Sequence, residues 1–186
     1  MKIGITGGIG SGKSYVCKLL AERNIEVYDC DKAAKRLMHE SAELKSQLIK
    51  LLGPDAYTDD GLLNKAVVAR FLLLSEDNAH AIDNIVHPAV VNDFIQSGMQ
   101  WMESAILFES GISHLVDRVI VVTAPEIIRL ERIMKRDNIS NEKARQWMNR
   151  QWPQEKVRQA ADFEIVNDGI QPLLPQLETI LNKLQQ

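Results

Sequence analysis

Aromatic residues make up only 5% of this 186-residue chain, cysteine occurs only as Cys17 and Cys30, and the formal net charge is −3. Each scarcity excludes something. An acidic balance with no basic strand interleaved with aromatics speaks against nucleic acid as a partner, so any polyanionic ligand must be met by local positive charge. Two cysteines cannot make a disulfide framework and match no paired metal-ligand spacing, and no His/Cys cluster suggests a transition-metal site. Both cysteines read as small buried hydrophobes in a reducing compartment. No apolar run approaches the roughly 20 residues that span a bilayer, and KIGIT follows Met1 without the pattern of a signal peptide. The expectation is therefore a cytoplasmic protein without a membrane partner. Internal repeats, low-complexity tracts and an interdomain linker are also missing, so the length fits one domain with a helical insertion, burying roughly 70% of its unfolded surface.

Five short β-rich runs are present: KIGIT (2–6), IEVYD (25–29), SAILFE (104–109), RVIVVT (118–123) and FEIVN (163–167). Their nearly continuous aliphatic character predicts buried strands. Helical spacing separates them, as in Val16, Leu19 and Leu20, and in Leu173, Leu177, Ile180, Leu181 and Leu184. Strand and helix in alternation predict a three-layer α/β fold with a five-stranded parallel sheet. Between the second and third runs no strand pattern occurs, so that interval must carry helices. Gly53-Pro54 and Asp59-Asp60-Gly61 divide it, Ser75-Glu76-Asp77 starts a helix, and His87-Pro88 is expected to end that helix and open another.

The segment Gly7-Gly8-Ile9-Gly10-Ser11-Gly12-Lys13-Ser14 fits G-x-x-x-x-G-K-[ST] between a strand and an amphipathic helix. A chance match in a chain of this length is on the order of one in a hundred. The chemistry demands this composition: glycines allow a tight turn, and backbone N–H groups at a positive helix end converge on phosphate oxygens. Gly8, Gly10, Ser11 and Gly12 supply that backbone. Lys13 is placed to reach the β and γ phosphates of ATP, and Ser14 to ligate Mg²⁺. A cradle alone does not say where the phosphate goes. The chain is short for a motor and carries no N-K-x-D guanine-reading motif, which favours a small kinase.

The run VYDCDKAAKRL places Asp29 and Asp31 at the end of the second strand, the edge where open α/β sheets bind ligands. If the strand persists, both carboxylates face the crevice. Asp31 is the preferred base for the attacking hydroxyl, with helix capping the competing role for it. After the fourth strand, Pro125 opens a helix on which Arg129, Arg132 and Arg136 share one face. A guanidinium closed over the transferred group stabilises its charge, and Arg136 is the chosen lid residue, the alternative being helix-dipole and ion-pair roles. Trp147 and Trp152 read as packing residues. Asn167-Asp168-Gly169 is placed for an adenine contact through Asn167 or for a simple Asx turn. Glu109, at the end of ILFE, is open to Mg²⁺-water, acceptor and capping roles.

Taken in order, TGGIGSGKS, DCDKAAK, HPAV, ILFE, RQWPQEK and the later Asn-Asp-Gly resemble the dephospho-coenzyme A kinase family, over residues 4 to 169. The resemblance implies a P-loop kinase fold with a nucleoside-kinase-like core at 1–31, 103–136 and 162–186, a helical acceptor-binding insertion at 32–102 and a small lid at 137–161. It also implies ATP-dependent phosphorylation of the ribose 3′-hydroxyl of dephospho-CoA, the final step of coenzyme A synthesis. A monomer or weak homo-oligomer is expected. The family's catalytic aspartate falls on Asp31, and His87 and Glu109 match positions near the acceptor. Two departures are visible. Tyr15 stands where relatives commonly have threonine, leaving only its backbone N–H for the nucleotide, and Ala105 stands where they commonly have proline. A nucleoside monophosphate or other small-metabolite kinase is the alternative within the fold, and a nucleotide-gated switch the alternative outside enzymes.

Overall fold

The computed structural model describes residues 1–75 and 77–185. By internal packing the chain divides into two compact units, residues 1–28 with the chain from Met99 onward, and Asp29–Gly98.

The first unit is built on strands β1 (Ile3–Thr6), β2 (Val27–Asp29), β3 (Trp101–Glu103), β4 (Arg118–Thr123) and β5 (Phe163–Val166), ordered β2-β3-β1-β4-β5 in one parallel sheet. Its helices are α1 (Lys13–Ala21), α6 (Glu126–Asp137), α7 (Asn141–Asn149), α8 (Gln154–Ala160) and α9 (Leu173–Leu184). All four residues of β1 are buried, as expected of a strand paired on both sides, with Ile3 opposite Trp101 and Arg118. Alternation then sorts the side chains. Ile3 and Ile5, with Ile120, Val122 and Ile165, project to one face, where Val16, Leu19 and Leu20 of α1 and Leu177 and Ile180 of α9 cover them. Each such buried side chain contributes about 1.5–3 kcal/mol.

β5 lies at the edge of the sheet, where unpaired backbone groups invite association. Gln176 occupies those of Val166: its Oε1 accepts the Val166 N–H at 2.8 Å and its Nε2 donates to the Val166 carbonyl at 3.0 Å. Gln176→Met preserves bulk and removes both bonds. It is expected to cost about 1–3 kcal/mol in urea unfolding, and an unchanged midpoint would show that the edge needs no cover.

The third strand differs from the sequence expectation. It is Trp101–Glu103, and the ILFE run lies in turns at 105–111. Ser104 explains the difference: its N–H still bonds the Ile5 carbonyl at 3.0 Å, but its Oγ accepts from the Ile106 N–H at 3.4 Å, and Ser110 N–H turns back to Ile106 O at 2.8 Å. A serine bonding its own backbone competes with the ladder. The apolar residues are spent differently, with Leu107 fully buried against β1, where a Cβ on Gly4 would lie 2.9 Å from its Cδ2. Continuous hydrophobicity signalled burial, and burial came without a strand.

The second unit holds α2 (Cys30–Glu40), α3 (Ala42–Leu52), α4 (Lys65–Leu74) and α5 (Asp77–Ser97). Gly53 and Pro54 lead into a short 3-10 turn at Pro54–Ala56, and Gly61 N–H closes the Asp59-Asp60-Gly61 turn on Thr58 O at 2.8 Å, as the turn signals predicted. Glu76 lies outside the described residues; Ser75 Oγ accepts the Asp77 N–H at 3.2 Å where α5 begins. His87-Pro88 does not separate two helices, because α5 continues through Pro88. Proline removes one i→i−4 bond, and Val86, Val90 and Phe94, buried at four-residue spacing, hold the helix together on both sides of it. Among the described residues no helix is long and apolar enough to cross a membrane.

Candidate active site

Four carbonyl groups of the loop between β1 and α1, those of Gly7, Ile9, Gly10 and Ser11, are taken up by side-chain donors. Lys13 Nζ donates to Gly7 O at 2.7 Å, Arg129 Nε to Ile9 O at 2.9 Å, and Arg132 Nη1 to Gly10 O and Ser11 O, both at 3.3 Å. Asn167 Nδ2 adds a 2.7 Å bond to Ser11 O. Across a planar trans peptide, C=O and N–H point to opposite sides. With Ile9 O held by Arg129 and Ser11 O by Asn167, the Gly10 and Gly12 N–H groups turn to the other side of the loop, ahead of the unsatisfied first amides of α1. This is an anion-binding concavity next to three cationic side chains. Ser11 N–H closes the turn on Gly8 O at 3.1 Å. Ser11 itself is fully buried and its Oγ has no hydrogen-bond partner among the described residues, so what it can offer a nucleotide is backbone.

Two glycines are required by close approach. At Gly10, φ is +79° and a Cβ would sit 2.7 Å from the Arg129 carbonyl oxygen; at Gly12, φ is +100° and a Cβ would sit 2.0 Å from Asn167 Nδ2. Gly12→Ala combines backbone strain with displacement of Asn167. It is expected to cost about 1–3 kcal/mol of stability, measured by thermal unfolding. Wild-type stability together with wild-type ATP affinity would show that the contact is not needed.

Lys13 is buried and its Nζ also lies 3.7 Å from Glu103 Oε1, at the end of β3. Burial lowers the pKa of the Arg129 guanidinium, an effect opposed by Glu126. Ser14 and Tyr15 are exposed in the first turn of α1, and the Tyr15 N–H is given to Gly12 O at 3.0 Å. Among the described residues no group of three or more His, Cys, Asp or Glu could hold a metal ion. A hard cation here would rely on the Ser14 hydroxyl, phosphate oxygens and water, a donor set that fits Mg²⁺ carried by a nucleotide.

The other expected site residues make different contacts. Of the three arginines of α6, Arg129 and Arg132 face the loop, while Arg136 is 61% exposed at its side chain and binds Asp137, with Nη2 to Oδ2 at 2.7 Å. Asn167 Oδ1 accepts from Arg132 Nη2 at 3.1 Å, so both ends of its amide are engaged, Nδ2 with the loop and Oδ1 with α6. Glu109 lies beyond the strand: its Oε1 accepts the Trp152 N–H at 2.9 Å and its buried Oε2 has no partner among the described residues. The carboxylate that ends the apolar strand is Glu103, which the misplaced strand concealed. Trp147 packs in the α6–α7 cluster, and Trp152 stacks on Phe108 with centroids 6.3 Å apart.

Asp29, Asp31 and His87 belong to the helical unit. β2 stops at Asp29, whose carboxylate accepts the Lys32 N–H at 2.8 Å as the cap of α2. The two aspartates therefore do not share a strand face. Capping falls to Asp29, and Asp31 stands exposed in the first helical turn. His87, half-buried on α5, has Nε2 3.6 Å from Asp83 Oδ1.

A glycine cradle on the central strand of a parallel α/β sheet, with lysine and arginines on its carbonyls, is the P-loop kinase fold. The family model for dephospho-CoA kinase (CoaE) matches residues 1–172, and the chain belongs to that family. The dephospho-CoA kinase of Porphyromonas gingivalis is 41% identical over 190 residues, covering 98% of this chain and 94% of that one. That of Bacteroides fragilis is 38% identical over 197 aligned residues, covering 100% and 94%. The crystal structure of TT1252 from Thermus thermophilus superposes with a TM-score of 0.82 at 30% identity, covering 100% and 96%.

Proposed function

We propose that the protein transfers the γ-phosphoryl group of ATP to the ribose 3′-hydroxyl of dephospho-CoA. The observation that supports it most is the cradle, whose carbonyls are held by Lys13, Arg129, Arg132 and Asn167 so that glycine amides are left for an anion. The family supplies the acceptor. In this reading the core unit binds ATP, residues 32–102 bind the acceptor and 137–161 form the lid. Gly8, Gly10, Ser11 and Gly12 enclose the phosphates through their backbone, and Lys13 neutralises the β and γ oxygens. Ser14 would help hold Mg²⁺, which when bound would supply positive charge at the phosphates. Asp31 orients and deprotonates the hydroxyl, His87 and Glu109 serve the acceptor side, Arg136 closes over the transferred group, and Asn167 lies beside the base. The transfer forms the acceptor O–P bond as the bond to ADP breaks, with the hydroxyl proton going to Asp31. We place the enzyme in the cytoplasm, as a monomer or weak homo-oligomer.

The test is ADP release by the purified protein with MgATP and a panel of acceptors. Release is expected with dephospho-CoA, accompanied by phosphorylated product. Release with a nucleoside monophosphate and none with dephospho-CoA would replace this reading by the rival kinase. Slow hydrolysis indifferent to every acceptor would favour a switch.

A further inference from the structure

One residue of the phosphate loop is held at every group it has. The side chain of Ile9 packs against the cluster of Leu130, Ile133 and Ala144 between α6 and α7, together with Trp147 and Met148. Its carbonyl accepts from Arg129 Nε at 2.9 Å, and its N–H is given to Gln151 Oε1 at 2.7 Å. Gln151 follows α7 and is itself anchored, with its N–H on Met148 O at 3.2 Å and its Nε2 on the Ala105 carbonyl at 3.3 Å. Its amide therefore joins the loop after β1 to the turn after β3. The next residue fastens the same turn, through the Trp152 N–H to Glu109.

We propose that Gln151 is a positioning residue for ATP: its side-chain amide sets the Gly8–Ile9 peptide plane of the phosphate loop and so raises nucleotide affinity through Ile9. The inference rests on the reading of this loop as the ATP site. The physical reason is the composition of the loop. Glycines on both sides of Ile9 leave the backbone free to sample many conformations, and a phosphate-binding turn works only when successive amides are already aimed. Arg129 fixes the Ile9–Gly10 plane from one side. Gln151 fixes the preceding plane, and with it the Gly8 carbonyl that receives the Ser11 N–H. Loss of one of these restraints returns the ordering cost to the binding step.

Gln151→Met keeps the length and apolar body of the side chain and removes donor and acceptor together. Titration of the full chain with a non-hydrolysable ATP analogue, without acceptor, is expected to show binding weakened about five- to tenfold, the scale of one net hydrogen bond. KM for dephospho-CoA should stay within about twofold, since the bond acts on the donor side. Gln151→Glu retains an acceptor for the Ile9 N–H but loses the bond to Ala105 O and adds a negative charge beside the anion site, so affinity should recover in part over Gln151→Met, which a purely packing role would not produce. Wild-type affinity in Gln151→Met, or equal weakening for both substrates, would overturn the proposal. If the wild-type protein bound no analogue, the loop assignment itself would fall, and the proposal with it.

Discussion

Asp31→Asn is expected to lower kcat by about 10²–10⁴, the range removed with a general base, while leaving ATP affinity within about twofold. The substitution keeps shape, replaces one acceptor oxygen by an NH₂ donor and deletes basicity and charge. Structural damage should be slight. Asp31 is exposed in the first turn of α2, where a carboxylate favours the helix dipole by about 0.3–1 kcal/mol, and the capping bond to Lys32 is made by Asp29 instead. Asp29→Ala serves as the control, expected to cost about 0.5–2 kcal/mol in stability as a lost cap with a much smaller effect on turnover. If the two variants exchanged phenotypes in single-turnover phosphorylation, the base would be Asp29.

Lys13→Met should reduce kcat/KM by about 10²–10³, the loss typical of removing one preorganised charge-stabilising donor. The methionine keeps most of the aliphatic stem, so the buried path past Gly7 remains filled. What disappears is the cation that bonds Gly7 O and stands 3.7 Å from Glu103. Because the ammonium is assigned to the β and γ phosphates, affinity for ATP should fall more than affinity for AMP. Lys13→Arg should not restore turnover, since a planar fork cannot replace a compact charge in a buried site. Equal weakening of ATP and AMP in binding titrations would remove the γ-phosphate role.

The strands at 2–6, 118–123 and 163–167 were legible because aliphatic runs bounded by glycine or helix signals have few other ways to be buried, and the observed strands lie within them. SAILFE carried the same signal and was misread. Its burial against Gly4 depends on a neighbour distant in sequence, and Ser104 ends the ladder through its own hydroxyl. Pro88 was misread for the reverse reason: a local breaker was overruled by packing at Val86, Val90 and Phe94. The helix at Glu126–Asp137 followed directly from Pro125 and the periodicity after it. Which of its arginines would meet the loop did not follow, because three residues at helical spacing share a face while a face is wider than one contact.

The amino-acid sequence by itself determined the phosphate cradle, its lysine, the alternation of strands and helices and the family, since each is carried by neighbouring residues whose chemistry acts over one turn or one strand. Only the tertiary structure decided that Arg129, Arg132, Asn167 and Gln151 hold that cradle and that Glu103 ends its neighbouring strand. Those partners lie from about 90 to 156 positions away along the chain, and hydrogen bonds of about 3 Å between such distant positions exist only once the sheet has brought its strand ends together.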